Sequence, residues 1–291
     1  MKLRVVDVDR SLGFSTLSVD DVLFIHKKIR DEARVQGEPV AEMNFPGEAS
    51  FLKNRDLLES AVARQWAGFD GRFFYPTPHH NAATLMYGIA MNHPFHDGNK
   101  RTALVAMLNH LDRNNLVLVG MGWQAVEKLV LDLVEGKLPD RSKLKHAVAH
   151  TKDRAERSVQ ALAEWIRLNS RRIDRAEKYN ITFDEMERII RRHGYEFGNP
   201  KGNKIDILRV ETREVRKWLR RRSEERRVRV GTVGYPGGKR QIGVADVKKI
   251  RDICNLTEEN GVDSYLFYDK GEALDRILNK HRQVLRSLAT K

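Results

Sequence analysis

The 291-residue chain has a single cysteine, Cys254, which excludes an intramolecular disulfide and suits a reducing compartment, so a cytoplasmic protein is expected. It has no run near the roughly 18 uninterrupted apolar residues of a membrane span. Its start, Met1 to Arg10, is polar and charged and lacks the apolar centre of a signal peptide. No membrane partner is expected, and there is no internal repeat or low-complexity tract. An acidic excess is missing too. Residues 1–150 carry 19 Lys+Arg against 18 Asp+Glu and residues 151–291 carry 34 against 22, so +12 of the net charge of +13 belongs to the second half. Such a field favours a polyanion such as RNA, a ribosome or DNA, although a solvated charged face gives the same bias without a partner.

What is present divides the chain. Ser18-Val19-Asp20-Asp21 resembles a capping box with Asp for the usual Glu, and Val22, Ile25, His26 and Ile29 follow at helical spacing, predicting a helix over 19–34. Gly37, Pro39, Pro46 and Gly47 mark a loop, and Asn54 to Gln65 reads as helix. Phe69 to Pro76 clusters aromatics around an Asp-Gly turn, suiting a short hairpin. Helices are expected again over 78–91, 99–113 and 122–134, and one long amphipathic helix from Asp153 to Ile173, edged by Arg171, Arg172 and Arg175, reads as a connector. Thr182 to Glu185 is a second capping box. Strand-like alternation follows at Lys204 to Val210, Arg227 to Val230 and Arg240 to Val244, and Val244 to Cys254 returns to helix. The expected architecture is multidomain: a mainly helical domain over 1–150, a helical connector over 151–180 and a small basic α+β domain over 181–291.

The run His93-Pro94-Phe95-His96-Asp97-Gly98-Asn99-Lys100-Arg101-Thr102 joins two of these helices and carries the parts that phosphate chemistry needs. His93 titrates near neutrality and can take a hydroxyl proton. Asp97 is a hard oxygen ligand for Mg²⁺. Gly98 allows positive φ, so the amides of Gly98 to Lys100 can form an anion nest at a helix N-terminus, and Lys100 and Arg101 add positive charge there. Taken one at a time, these residues also suit a helix end, a core phenylalanine and a turn. Their convergence in one loop favours an active site.

Met91 to Leu104 resembles the signature of the Fic superfamily in its Doc (death-on-curing) form. The likeness extends to Leu57 to Val62 and to Phe73-Phe74-Tyr75-Pro76, which matches the flap that docks target segments in Fic proteins, and it covers about the first half of the chain. The resemblance implies an all-α Fic bundle with His93 as base and Asp97 as Mg²⁺ ligand. It further implies that Gly98, Asn99, Lys100 and Arg101 bind the phosphates of ATP and that Phe73, Phe74 and Tyr75 hold a protein substrate. AMP-transferring members read HxFx(D/E)GNGRxxR, whereas this chain has Lys100 for the second Gly and Leu104 for the last Arg. That departure favours the Doc arrangement, in which ATP is reversed and its γ-phosphate is transferred. It implies an ATP-dependent protein kinase acting as a toxin on a translation factor, with AMP transfer as the alternative. The family's inhibitory helix places a Ser or Thr four residues before a Glu that is followed by Gly or Asn; here Leu131 precedes Glu135 and Asn255 precedes Glu259. A separate antitoxin is the restraint the resemblance implies.

The second half resembles the double-stranded-RNA-binding-like fold of HicA toxins over Arg192-His193-Gly194-Tyr195 and Lys201-Gly202-Asn203, with Asn203 where those proteins place a catalytic histidine. Binding rather than RNA cleavage is what that leaves. Arg220, Arg221, Arg222, Arg226 and Arg227 are the candidate phosphate contacts, with a solvated helix containing Glu224 and Glu225 as the plain alternative. Tyr235 suits either stacking on a base or packing, and His193 suits a helix C-terminal cation. An RNA- or ribosome-binding protein with an idle Fic loop is the competing function.

Overall fold

The computed structural model describes residues 12–38, 47–173, 181–217, 220–257, 260, 262, 267 and 270–291. Pro39, Pro46 and Arg175 from the sequence reading lie outside them. The chain forms two compact units, one taking the described residues up to Ile173 together with Gly271–Lys291, the other lying within Asp174–Lys270.

The first unit is a helical bundle. Helix α1 (Val19–Val35) opens on the expected capping box: the Ser18 hydroxyl accepts from the Asp21 amide and Asp21 Oδ2 accepts from the Ser18 amide. The other carboxylate oxygen of Asp21 meets Arg113 Nη2 at 2.9 Å, with both side chains almost wholly buried, so one residue caps α1 and ties it to the end of α4. Helices α2 (Arg55–Ala63), α3 (Pro78–Asn92), α4 (Asn99–Arg113) and α5 (Trp123–Val134) follow. The antiparallel pair α3 and α4 is the centre of the unit: Ala82, Leu85, Met86, Ile89, Leu104, Met107 and Leu111 are fully or almost fully buried. Gly88 lets α2 approach, since a Cβ there would lie 3.0 Å from Ala61 Cα.

Two small ribbons interrupt the helices, β1 (Gly68–Phe69) with β2 (Arg72–Phe73) and β3 (Leu116–Leu118) with β4 (Ser170–Arg172), so the bundle is mostly rather than entirely α. The expected connector is not a connector. Helix α6 (Arg154–Leu168) buries Val159, Leu162 and Ile166 in the same core, and β4 closes it against β3. Its periodicity revealed an apolar face but not what that face covers. The chain also returns to this unit: α9 (Lys270–Lys280) and α10 (Arg282–Ala289) contribute Leu274, Leu278, Val284 and Leu288 to its core.

The second unit contains α7 (Phe183–Arg192), capped by Thr182 and Glu185 as expected, then β5 (Tyr195–Lys201), β6 (Lys204–Lys217), β7 (Arg220–Gly234) and α8 (Val244–Ile253). The helix-strand-strand-strand-helix order matches the sequence reading, but the strands differ. The first is β5, which contains Gly198 and Pro200 and is tolerated as an edge strand in the antiparallel order β5-β6-β7. The segment expected as a third strand, Arg240 to Val244, makes only a bridge between Gln241 and Thr182 before α8 begins. Phe183, Ile190, Ile207, Val233 and Ile250 form a separate core. Cys254 is buried there, and burial pushes its thiol up to about 12, leaving it inert.

Two histidines in the first unit are buried uncharged. His26 (α1) is held down to about 3, first by burial and then by the Arg30 and Arg101 guanidiniums. His110 (α4), bonded through Nε2 to Asn81 Oδ1 at 3.0 Å, is lowered to about 3 chiefly by burial. Unfolding therefore takes up a proton at each between the folded value and the ordinary 6.5. Their contribution is complete above neutrality and falls with decreasing pH, by about 2 kcal/mol per histidine at pH 5. Urea unfolding of the first unit at pH 7.5, 6 and 5 should show a falling midpoint; a constant one would contradict the assignment.

Candidate active site

The loop between α3 and α4 is fixed from three sides. Segment 51–54 runs alongside it: Leu52 bridges Phe95, the Lys53 and Asn54 amides donate to the Pro94 carbonyl, and the His96 amide donates to the Phe51 carbonyl at 3.0 Å. Beneath it, Phe95 is buried and stacks on His26, with ring centroids 3.8 Å apart and planes 4° from parallel. His26 Nδ1 shares a 2.8 Å hydrogen bond with Thr102 Oγ1 on α4. Across the loop, Asn99 Oδ1 accepts from the Phe95 amide at 3.0 Å while its Nδ2 donates to the Phe95 carbonyl at 2.8 Å.

These supports present the candidate residues. His93 is the C-cap of α3 and is exposed, with φ 50° and ψ 54°. A non-glycine residue in the left-handed region stores strain of about 1–2 kcal/mol, a cost that gathers at functional positions. Gly98 has φ 72° and caps α4 without any side-chain cap, leaving the first helical amides open to an anion. A Cβ at Gly98 would also lie 3.4 Å from His26 Cε1. Asp97 lies over this turn, one oxygen accepting from the Gly98 amide and the other from Arg101 Nη2 at 3.1 Å. The Arg101 side chain is only 6 % exposed, meets Glu38 at 3.5 Å, and keeps a buried Nε with no hydrogen-bond partner among the described residues. A shallow cleft of about 230 Å³ is lined by Arg30, Phe51, Asp97, Gly98 and Arg101.

The structure thus gathers Asp97, Gly98 and Arg101 and places His93, Asn99 and Lys100 differently from a simple phosphate cradle. Both ends of the Asn99 amide are used within the loop, so Asn99 positions the turn. Lys100 Nζ donates to the Lys291 carbonyl at 2.7 Å, and a phosphate using it would take over that bond. Sequence reasoning passed over His26, whose only signal was a titratable residue on an apolar stripe. It also passed over Glu38, whose partner is 63 residues further along the chain and leaves no local pattern.

The hairpin formed by β1 and β2 is present, with a change in its expected docking residues. Phe74 is exposed and Phe73 half-buried, but Tyr75 is only 4 % exposed, its hydroxyl donating to Glu156 Oε2 and accepting from Arg64 Nη2. It anchors the hairpin to α6 and cannot meet a substrate. Phe69, on the other strand of the hairpin, is 79 % exposed.

In the second unit, Arg220, Arg221, Arg222, Arg226 and Arg227 stand on strand β7, not on a charged helix. Arg227 meets Glu196 at 2.6 Å. Tyr235 packs edge-on against Phe183, so it serves the core. His193 is half-buried and held below its ordinary range by burial, which corrects its reading as a helix C-terminal cation.

Asn99→Ala should remove the clamp on Phe95 without removing any cation. The expected result is a stability loss of about 1–3 kcal/mol with faster amide hydrogen exchange at residues 95–98; unchanged exchange would show that the clamp does not hold the loop.

Comparison with known proteins agrees with this geometry. Residues 16–111 match the model of the Fic/DOC family, spanning α1 to α4 with the loop between α3 and α4. The chain is 45% identical over 76 residues to Toxin Doc of Mycolicibacterium smegmatis, a match covering 25% of this chain and 56% of that protein. The chain thus spans about half the length of the curated relative, and no solved structure matches it. Over residues 16–111 the chain is thus similar to the Fic/DOC family.

Proposed function

We propose that the first unit is a Doc-type toxin enzyme that transfers the γ-phosphate of ATP to a hydroxyl of a protein, with a translation factor as the target class and a separate antitoxin as its restraint. The observation that carries this reading is the α4 N-terminus: a helix start with no side-chain cap, a glycine turn and a buried guanidinium whose Nε has no partner among the described residues, all just after an exposed histidine in a left-handed backbone. Charge that spreads over phosphate oxygens is stabilised by this kind of fixed donor set.

Asp97 fits a metal role. Mg²⁺ commonly takes one or two carboxylates, with phosphate and water oxygens filling the rest of its shell, and the described residues hold no cluster of three or more His, Cys, Asp or Glu that would make an all-protein site. Bound there, Mg²⁺ would neutralise phosphate charge. The chain's own part follows from its residues. His93 accepts the proton of the acceptor hydroxyl as its oxygen bonds to the γ-phosphorus. The bond from that phosphorus to the bridging oxygen breaks, ADP leaves, and Arg101 with the first α4 amides holds the phosphate oxygens. For Arg101 to do so, the phosphate replaces Asp97 and Glu38 as its anionic partner.

γ-Transfer is favoured over AMP transfer by Leu104. The residue standing where AMP-transferring relatives carry an arginine is fully buried in the core, so no cation reaches phosphate from that position. The exposed Phe69 and Phe74 offer the protein substrate an apolar edge beside the β1–β2 turn.

Incubation of the protein and Mg²⁺ with γ-labelled or α-labelled ATP and a bacterial lysate separates the outcomes. Label in a protein from γ-ATP alone, abolished by His93→Ala, is the expected result. Label from α-ATP would assign AMP transfer, and no label from either would contradict the transferase.

A further inference from the structure

The first unit contains a second cavity against the same arginine that borders the α3–α4 loop. Helices α9 and α10 face α1 across a cavity of about 310 Å³. Its apolar walls are Ile29 and Ala33 of α1, Leu278 of α9 and Leu285 of α10, all buried. Protein interiors are close-packed, with few voids larger than a water molecule. A gap of this size between apolar rows falls at the lower end of the range of small-molecule pockets and suits part of a nucleotide rather than the whole.

The helical repeat builds a polar mouth beside those walls. Glu32 and Gln36 stand one turn apart at the end of α1, as do Arg282 and Arg286 on α10. Arg282 meets Glu32 at 3.4 Å, and Arg286 Nε donates to Gln36 Oε1 at 2.5 Å. Both guanidiniums are about half exposed, and a planar guanidinium stacks on an aromatic ring. Arg101 is common to this cavity and to the cleft beside Asp97 and Gly98. Its buried Nε has no hydrogen-bond partner among the described residues. Glu38 joins the two sides, one oxygen 3.5 Å from Arg101 and the other 3.6 Å from Arg286.

We infer that this cavity is a nucleoside subsite, which takes the base of ATP between its α1 and α9–α10 walls with the Arg282 and Arg286 guanidiniums at its open edge. The inference rests on the γ-transfer reading. With the γ-phosphate at the first α4 amides, the triphosphate runs past Arg101, and the cavity that shares this arginine receives the nucleoside end. AMP transfer needs the opposite order, which would leave terminal phosphates to apolar walls. His93, Asp97 and Gly98 do not line the cavity, so it is an addition to the phosphate site and not a second description of it. Leu278, Arg282, Leu285 and Arg286 lie outside residues 16–111, so one wall comes from helices beyond the family-like region.

The test compares binding of inorganic tripolyphosphate and of a non-hydrolysable ATP analogue to the full chain, each with Mg²⁺, by calorimetry. The analogue should bind tighter by about tenfold or more, the gain from burying a base against apolar walls. Ala33→Phe, which fills the cavity from α1, should bring the two ligands within about threefold of each other and leave tripolyphosphate affinity unchanged. If that variant does not fold, the unaltered protein answers: the Leu278 and Leu285 methyl signals should shift with the analogue and stay in place with tripolyphosphate. A folded Ala33→Phe that keeps the full preference for the analogue would overturn the inference, as would an analogue that binds without moving the two leucines. Tripolyphosphate binding with no gain from the nucleoside overturns the inference and leaves the phosphate site standing. An analogue that binds and moves the leucines while tripolyphosphate does not bind supports the subsite and contradicts the phosphate site. Binding of neither ligand overturns both.

Discussion

The face-to-face contact of the His26 and Phe95 rings is the constraint from which the site follows. It places α1 under the α3–α4 loop, and the His26–Thr102 hydrogen bond extends the same contact to α4. The imidazole must be neutral to sit there. Two guanidiniums, Arg30 and Arg101, already flank it in a desolvated position, and a third positive charge would be opposed by both burial and repulsion. Gly98 completes the packing, because the turn passes over His26 at a distance that leaves little room for a side chain. The loop's shape is thus set by packing and by Asn99 from within, which leaves the first α4 amides without a side-chain cap.

The electrostatics of the loop are self-compensated. Asp97 and Glu38 neutralise Arg101, and the Lys291 carbonyl engages Lys100. Under the proposed function, a phosphate entering the site exchanges these partners for its own oxygens, so binding there is a competition between anions for a nearly buried cation. His93 is different in kind: it is exposed, on strained backbone, at the end of a helix that buries nine of its fifteen residues.

Local chemistry made part of this legible in the sequence. The Ser18 and Thr182 caps and the α3–loop–α4 unit could be read because each is a short pattern with its own physical cause. The role of α6 could not, since an amphipathic helix reports a buried face and not its partner. Tyr75 was read with its aromatic neighbours, yet a hydroxyl reaching Glu156 and Arg64 draws it inward. Strand β5 was hidden by Gly198 and Pro200, which an edge position tolerates. The arginines of 220–227 gave no direction from composition alone; the structure places them on strand β7 rather than on a charged helix.

The central claim is that the start of α4 is a preformed phosphate site, and an ATP titration followed by amide NMR on nitrogen-15-labelled protein tests it most directly. With Mg²⁺ present, the amides of Gly98, Asn99, Lys100 and Arg101 should shift progressively and saturate together, while the Phe95 amide, held by Asn99, moves little. Saturation elsewhere in the chain with these four amides unmoved would contradict the account.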